Sequence, residues 1–238
     1  MGYVEIALYG IGGLVALAVV SFFILSAFYR KPGPEEAIVR TGMGGLKVQT
    51  GRGMIIVPVA HAADKMDLSV KRIEIAREGE DGLICQDNIR ADIRVAFYVR
   101  VNNQQNDIMQ VAEMLNPKRA SEINQLRELF EAKFSEALKT VGKQFDFVSL
   151  YTDRDNFREQ ILNVIGTDLN GYRLDNCHID YLEQTPLESL NPQNILDAEG
   201  IKKITELTTQ ENMKRNSFAV EESKVIKQQN VDRDQALY

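Results

Sequence analysis

The sequence predicts an α+β domain that follows one transmembrane helix and leads into a long polar helix. Three observations support this prediction: an uncharged apolar stretch over residues 6–28, short β-type segments followed by amphipathic helical segments, and a C-terminal stretch without proline from residue 194 onward. Strands come first, then helices, then one further strand. This is the order of an α+β fold, because alternating strands and helices would instead indicate a parallel α/β sheet.

The apolar stretch contains 23 residues without a charged side chain. A helix of that length spans about 35 Å, which exceeds the roughly 30 Å hydrocarbon core of a bilayer. Residues 1–5 contain no Lys or Arg, and the stretch is longer than the apolar region of a signal peptide, so we predict a retained anchor. The side chains expected to hold it in lipid include Ile6, Leu14, Val20, Phe23 and Phe28.

Basic residues follow this stretch and none precedes it. Arg30 and Lys31 come directly after the apolar residues, whereas the preceding segment carries only Glu5 and the terminal amine. Because positively charged flanks stay on the cytoplasmic side, the sequence predicts a single-pass protein of the cell inner (plasma) membrane. Its N-terminus would lie outside, or in the periplasm, and its soluble domain in the cytoplasm.

Residues 89–101 alternate between apolar side chains at odd positions and mainly charged side chains at even positions. This period of two predicts a strand with one face on a core and the other face in water. Glycines between residues 42 and 53 could suggest a phosphate-binding loop, but β-type residues follow them instead of a helix. The glycines are therefore interpreted as hairpin turns.

Apolar residues then recur at helical spacing. Ser121 is the expected N-cap of the longest of these helices, and Gly171 is the expected stop of the last one. A strand near residues 176–183 returns the chain to a sheet. The predicted helices cover residues 107–115, 122–141 and 154–169.

Residues 194–238 form a long helical segment with too few apolar residues for a core of its own. Such a helix packs on a neighbour or protrudes as a stalk. We predict that it begins a coiled-coil stalk that joins copies of the chain, and it reaches Tyr238 without a capping signal, as expected of a natural chain that continues. The side chains predicted to make these contacts are Ile201, Ile204, Leu207 and Val225.

No residue combination in the sequence is typical of catalysis. The net charge of −6 argues against nucleic acid as a partner. Cys85 and Cys177 lie in apolar runs and are expected to be buried, and strand alternation would place Cys177 and His178 on opposite faces. A zinc site needs three or four ligands, so we predict no metal at these residues. Because no catalytic combination is present, we also predict no enzyme activity and no cofactor.

Three segments together resemble the SPFH (band 7) superfamily of stomatins, prohibitins and flotillins, and in particular bacterial flotillins. They are residues 39–75, the strand sequence DIRVAFYVRV, and the sequence LNPQNILDAEGIKKI. The resemblance implies two SPFH subdomains, mainly β over residues 32–105 and α+β over residues 106–186. The anchor would occupy residues 1–31, and residues 187–238 would begin the stalk.

The resemblance also implies a function and partners. The expected function is a membrane-anchored scaffold that self-assembles into a ring or cage and organises membrane microdomains. Its expected partners are membrane lipid, further copies of the chain and an NfeD-family membrane protein. The alternative is a regulatory subunit that encloses or restrains another membrane protein, such as a protease. Co-purification in mild detergent separates the two, since only the second requires a fixed stoichiometric partner.

Overall fold

The computed structural model of the chain describes residues 2–166 and 169–236. Its helices are α1 Tyr3–Phe28, α2 Gln105–Met114, α3 Ile123–Gly142, α4 Phe147–Thr152, α5 Arg154–Ile165 and α6 Ile195–Ala236. Its strands are β1 Tyr29–Arg30, β2 Glu36–Gly42, β3 Lys47–Thr50, β4 Met54–Ile55, β5 His61–Asp67, β6 Lys71–Arg77, β7 Leu83–Ile84, β8 Arg90–Val101 and β9 Tyr172–Gln184. One-turn 3₁₀ helices lie at Gly79–Asp81, Arg119–Ser121 and Leu187–Ser189. The order confirms the predicted mixture of strands and helices.

The strands form three sheets. Strand β1 pairs with β4, strands β3, β2 and β5 form a second sheet in that order, and β8 pairs with β6, β7 and β9 in the third. Strands β2 and β3 are antiparallel neighbours, and Gly42, Gly44 and Gly45 in or after β2 have positive φ angles. The interpretation as a hairpin turn is therefore confirmed for these three glycines, because a left-handed backbone is what tight turns require. It is wrong for Gly51 and Gly53, which lie between β3 and β4, strands of two different sheets.

The chain divides into two compact units. Unit 1 comprises Met1–Ile75, Ala96–Phe134 and Leu162–His178, and unit 2 comprises Ala76–Val95, Ser135–Ile161 and Ile179–Tyr238. The boundaries predicted from the sequence follow the type of element along the chain, and they stay predictions.

Aromatic side chains fill the core of unit 1. The rings of Phe97 and Phe134 are stacked with their centroids 4.3 Å apart, and Phe130 stacks on Phe134 at 5.4 Å. Tyr172 meets Phe130 edge-on at 5.3 Å and donates a hydrogen bond of 3.0 Å to the carbonyl of Ala120. Burial raises the pKa of Tyr172 above its ordinary value, so its hydroxyl remains a donor.

Strand β8 confirms one half of the alternation and corrects the other. Ile93 and Phe97 are fully buried, as predicted. The other face is not the water-exposed face that we predicted, because Arg90 is only 8% exposed and Ala96 is fully buried. Arg94 is intermediate in exposure. A period of two identifies the two faces of a strand but does not reveal what covers the second one.

Two predicted helix ends are wrong. Ser121 does not cap α3, since its hydroxyl accepts a hydrogen bond of 3.1 Å from the main-chain N–H of Asp67. Helix α5 ends at Ile165 and is followed by Gly166, whose φ is 76°. Gly171 instead precedes β9, where a Cβ atom would lie 2.6 Å from the carbonyl oxygen of Asp107. The short helix α4 was not predicted.

We expect Phe97→Ala to lower the free energy of unfolding by about 3–5 kcal/mol, because it leaves a cavity against Phe134. Arg94→Ala should cost under about 1 kcal/mol, since its 2.8 Å ion pair with Glu78 is about half exposed on both sides. Urea denaturation of the two variants measures the difference. Equal losses would contradict the assignment of the two faces of β8.

Candidate functional site: the helices α1 and α6

Over residues 10–23, helix α1 exposes its apolar side chains on all sides. The segment Gly10–Phe28 has 19 residues with a mean hydropathy of 2.5, and none of its most apolar part is buried within the chain. Leu14, Val20 and Phe23 are exposed and Phe28 is intermediate, whereas the side chain of Ile6 lies outside the described residues. The helix is long and apolar enough to cross a membrane.

Helix α1 passes directly into the first sheet. Tyr29 follows it without a linker and pairs with Ile55 of β4, so the helix end is tied to a strand. A Cβ atom at Gly53 would collide with the ring of Tyr29, which explains why the smallest residue stands there. The joint between the apolar helix and the rest of unit 1 is therefore fixed by strand pairing and by close packing.

A buried ion pair holds the beginning of helix α6 within unit 2. Nε and Nη2 of Arg90 donate to Oδ1 of Asp197 at 3.1 and 2.6 Å, and the two side chains are 9% and 7% exposed. The remaining nitrogen of Arg90 donates to the carbonyls of Glu80 and Gly82. Sequence reasoning missed this site, because it read Arg90 as a solvated residue.

Asp197 is ionised in this setting. Burial opposes its charge, but the hydrogen bonds from Arg90 and from the N–H of Asn191, 3.1 Å away, outweigh that effect, so the pKa of Asp197 lies below its ordinary value. The ion pair joins residues 107 positions apart in the sequence. It therefore ties the first turn of α6 to strand β8.

Close packing supports the same contact along residues 195–204, which we call the root of α6. A Cβ atom at Gly200 would overlap the carbonyl oxygen of Asn88, so the helix backbone lies directly against the turn between β7 and β8. Ile204 is 6% exposed and packs with Ile89 and Leu190. The first three turns of α6 therefore pack on their own unit, a contact that its sparse apolar residues did not predict.

This packing divides the four side chains that were predicted to join copies of the chain. Ile204 is buried within the chain and Ile201 is partly buried beside it, so neither offers a free apolar surface to a neighbour. Leu207 and Val225 are exposed. The predicted contact surface thus begins beyond the root.

Every residue from 205 to 233 is exposed, including several large apolar side chains. At 100° per residue, these fall mainly into two narrow stripes separated by about 130° around the helix axis. Stripe A comprises Leu207, Phe218 and Val225, and stripe B comprises Met213, Val220 and Val231. Between them runs a polar arc that includes Gln210, Glu221 and Gln228. The sequence contained this signal, but it was read as sparse apolar residues without a face.

The cysteine and histidine side chains do not form a common site. Cys177 is fully buried, whereas His178 is exposed and meets the ring of Tyr98 edge-on at 5.3 Å, which confirms that they occupy opposite faces of β9. Burial raises the pKa of Cys85 to about 12, so its thiol is protonated. Within residues 2–166 and 169–236, no group of three or more His, Cys, Asp or Glu side chains is arranged to hold a metal ion.

Comparison with known proteins gives a consistent result. Residues 31–237 match the family described as SPFH domain / Band 7 family. The chain is 34% identical over 211 residues to the flotillin family inner membrane protein YqiK of Escherichia coli, covering 88% of this chain and 38% of that protein. It is 29% identical over 198 residues to a flotillin family inner membrane protein of Synechocystis, covering 81% of this chain and 29% of that protein. The chain thus spans well under half the length of both relatives.

We expect Asp197→Asn to lower the free energy of unfolding by about 3–5 kcal/mol, because Arg90 would remain buried without a counter-ion. The matched control is Asp155→Asn, whose side chain is 91% exposed beside Arg158 and should cost no more than about 1 kcal/mol. Denaturation of both variants at neutral pH provides the measurement.

The pH dependence gives a second measure of the same ion pair. The pKa of Asp197 is lowered by folding, so the stabilisation is complete above the ordinary carboxyl pKa of about 4 and is lost as the pH falls towards the folded value. The wild-type protein should therefore lose stability below about pH 4 more steeply than Asp197→Asn does. Parallel acid profiles would contradict an ionised Asp197.

Proposed function

The chain belongs to the SPFH domain / Band 7 family and is a bacterial flotillin-like protein, and from this we propose that it is a membrane-anchored, non-enzymatic scaffold. Its copies assemble into a ring or cage that organises a membrane microdomain. The observation that carries the proposal is the pair of exposed apolar stripes on α6. The relatives are considerably longer, so the assembly of the whole protein is part of the proposal.

Helix α1 is the proposed anchor. Its exposed apolar side chains have the length and composition to cross a bilayer, and both relatives are named inner membrane proteins. Arg30 and Lys31 follow the helix, which favours a cytoplasmic location for everything after it. We therefore place the N-terminus outside the cytoplasm.

Two stripes on one helix favour two neighbours. A two-stranded coiled coil buries a single apolar seam, and the second stripe would then remain in water. A helix with a neighbour on each flank buries both, and a head-to-tail contact of this kind closes into a ring if the rotation between copies allows it. A common membrane anchor favours such closure, because it holds all copies in the same orientation.

The spacing of the stripes fits long-range packing of this kind. Stripe A residues are separated by 11 and 7 positions, and stripe B residues by 7 and 11. A spacing of seven residues places the next side chain slightly to one side of a line along a straight helix, and a spacing of eleven places it slightly to the other. A mixture of the two spacings therefore keeps each stripe nearly parallel to the helix axis. Neighbouring α6 helices could therefore remain in contact over many turns as a wall.

An NfeD-family membrane protein is a proposed partner of this assembly. The alternative, a regulatory subunit that restrains another membrane protein, predicts a different composition. Full-length chain purified in mild detergent would then form a stoichiometric complex with the restrained protein, whereas the scaffold keeps its large particle whether or not an NfeD-family protein co-purifies.

We expect a Cys residue at position 2 to be labelled by an impermeant maleimide in intact spheroplasts, and a Cys residue at position 217 only after the membrane is opened. The variants are Gly2→Cys and Ser217→Cys, both at exposed positions. The native Cys85 and Cys177 are buried, so their background labelling is low. Labelling of Ser217→Cys in closed spheroplasts would overturn the orientation.

We expect the full chain in mild detergent to sediment as a large, defined particle that depends on both stripes. Phe218→Asn/Val225→Asn removes apolar surface from stripe A, and Val220→Asn/Val231→Asn removes it from stripe B. Either pair should reduce the particle to small species, because a ring needs both contacts. Sedimentation velocity or mass photometry measures the change.

The matched control is Gln210→Asn/Gln228→Asn, which places the same number of Asn residues on the polar arc and should leave the particle intact. If only one stripe affects the size, α6 forms a coiled coil with a single seam. If neither does, the proposed role of α6 in assembly is wrong.

A further inference from the structure

A cavity of about 550 Å³ lies in unit 1 beside the point where α1 ends. Basic side chains at its edge and apolar side chains on its walls give it two chemically different parts. The residues that carry the argument are Arg30, Lys31, Ile38, Ile56, Ala63 and Lys65. Its volume is in the range of pockets that hold small ligands.

The register of strands β2 and β5 explains this lining. Ile38 pairs with Lys65, and Arg40 pairs with Ala63, in an antiparallel ladder. Residues paired across a ladder project to the same face, and so do residues two apart, so Ile38, Ala63 and Lys65 share one face. The sheet therefore supplies an apolar floor with an ammonium group beside it.

The charge around the cavity is positive, although the whole chain carries a net charge of −6. Among the residues that line it, Arg30, Lys31 and Lys65 are basic and Asp64 is acidic. Asp64 lies 3.5 Å from Lys118, and Lys65 pairs with Glu36 at 2.8 Å. The hydrogen bond from Lys65 lowers the pKa of Glu36, yet the Lys65 side chain remains 66% exposed.

Arg30 and Lys31 are in a different situation. In the part of the chain that the structure describes, neither side chain has a carboxylate within ion-pair distance. Both come directly after the apolar helix, so they lie where the headgroups of a bilayer would be if α1 spans it. The charge that they can attract there is the phosphate of a lipid.

The loop that contributes Pro58 to the cavity lining also exposes apolar side chains. Val59 is 99% exposed and Val57 is also exposed, although both are large and apolar. His61 holds this loop in place: its Nδ1 accepts from the N–H of Val57 at 3.3 Å, so Nε2 carries the proton and donates to the carbonyl of Met43 at 3.1 Å. The loop is thus a fixed apolar edge of the site.

We propose that this cavity binds one anionic phospholipid of the leaflet in which α1 ends. The phosphate lies between Arg30, Lys31 and Lys65, and the glycerol and first acyl carbons lie along Ile56, Pro58 and Ala63. A free phosphate ion would satisfy the basic groups but would leave the apolar part of the lining in water, so the lining favours the lipid. The proposal rests on the proposed membrane anchor, and it is independent of the assembly through α6.

The test is lipid titration of the full chain in detergent, with bound lipid counted by native mass spectrometry. Phosphatidylglycerol is compared with phosphatidylcholine of the same acyl chains. The wild-type chain should retain phosphatidylglycerol preferentially. Lys31→Gln/Lys65→Gln should weaken its binding by about fivefold for each lysine, the effect of about 1 kcal/mol per basic residue. The matched control is Lys47→Gln/Arg52→Gln, which removes two exposed charges nearby that do not line the cavity.

A second variant separates the cavity from general surface charge. Ala63→Trp leaves the charge unchanged and fills the cavity from an exposed position, so it should remove the preference while the fold is retained by circular dichroism. Equal losses in the two charge variants, or full binding in Ala63→Trp, would overturn the site. Displacement of the lipid by millimolar inorganic phosphate would show a phosphate site instead. Membrane fractionation of each variant tests the anchor separately, so a failure of the anchor and a failure of the site are distinguishable.

Discussion

The buried ion pair between Arg90 and Asp197 fixes the start of the C-terminal helix α6 within unit 2. Two desolvated charges gain little net stability, because their attraction must offset the loss of hydration, but removing one partner leaves an unpaired buried charge. Such a pair therefore contributes specificity of geometry more than stability. The guanidinium of Arg90 also binds the carbonyls of Glu80 and Gly82, so one side chain fixes a turn, a strand and the first turn of α6 together.

The position of α6 beyond residue 204 depends on the packing of its root. Helix α6 has 42 residues, about 63 Å at 1.5 Å per residue, and it is buried only near its start. A polar helix of this length gains most of its stability from packing, and over residues 205–233 the chain itself provides none. The stripes of α6 thus remain available to other molecules, while the root keeps the helix attached to its own domain.

The sequence predicted the elements better than the contacts between them. The alternation in β8 identified Ile93 and Phe97 as core residues, and both are fully buried. The same pattern wrongly assigned Arg90 to water. Its partner Asp197 lies 107 residues away, and a local period in the sequence cannot reveal a contact at that separation. Gly200 was the one available signal: an isolated glycine in a helical segment often marks a close backbone approach, and here that approach is to Asn88.

The apolar surfaces that the fold leaves exposed differ in ways that identify what covers them. Helix α1 is apolar on every side, which suits lipid chains because they have no preferred direction. The stripes of α6 are narrow and bordered by charged residues, which fits the proposed contact with another helix, because the polar flanks of such a helix would leave those charges unburied. The cavity near the end of α1 lies between these cases, since apolar Ile56 and Pro58 line it together with Arg30 and Lys31. A lipid headgroup with its first acyl carbons satisfies both parts, which a protein helix or a lipid chain alone does not.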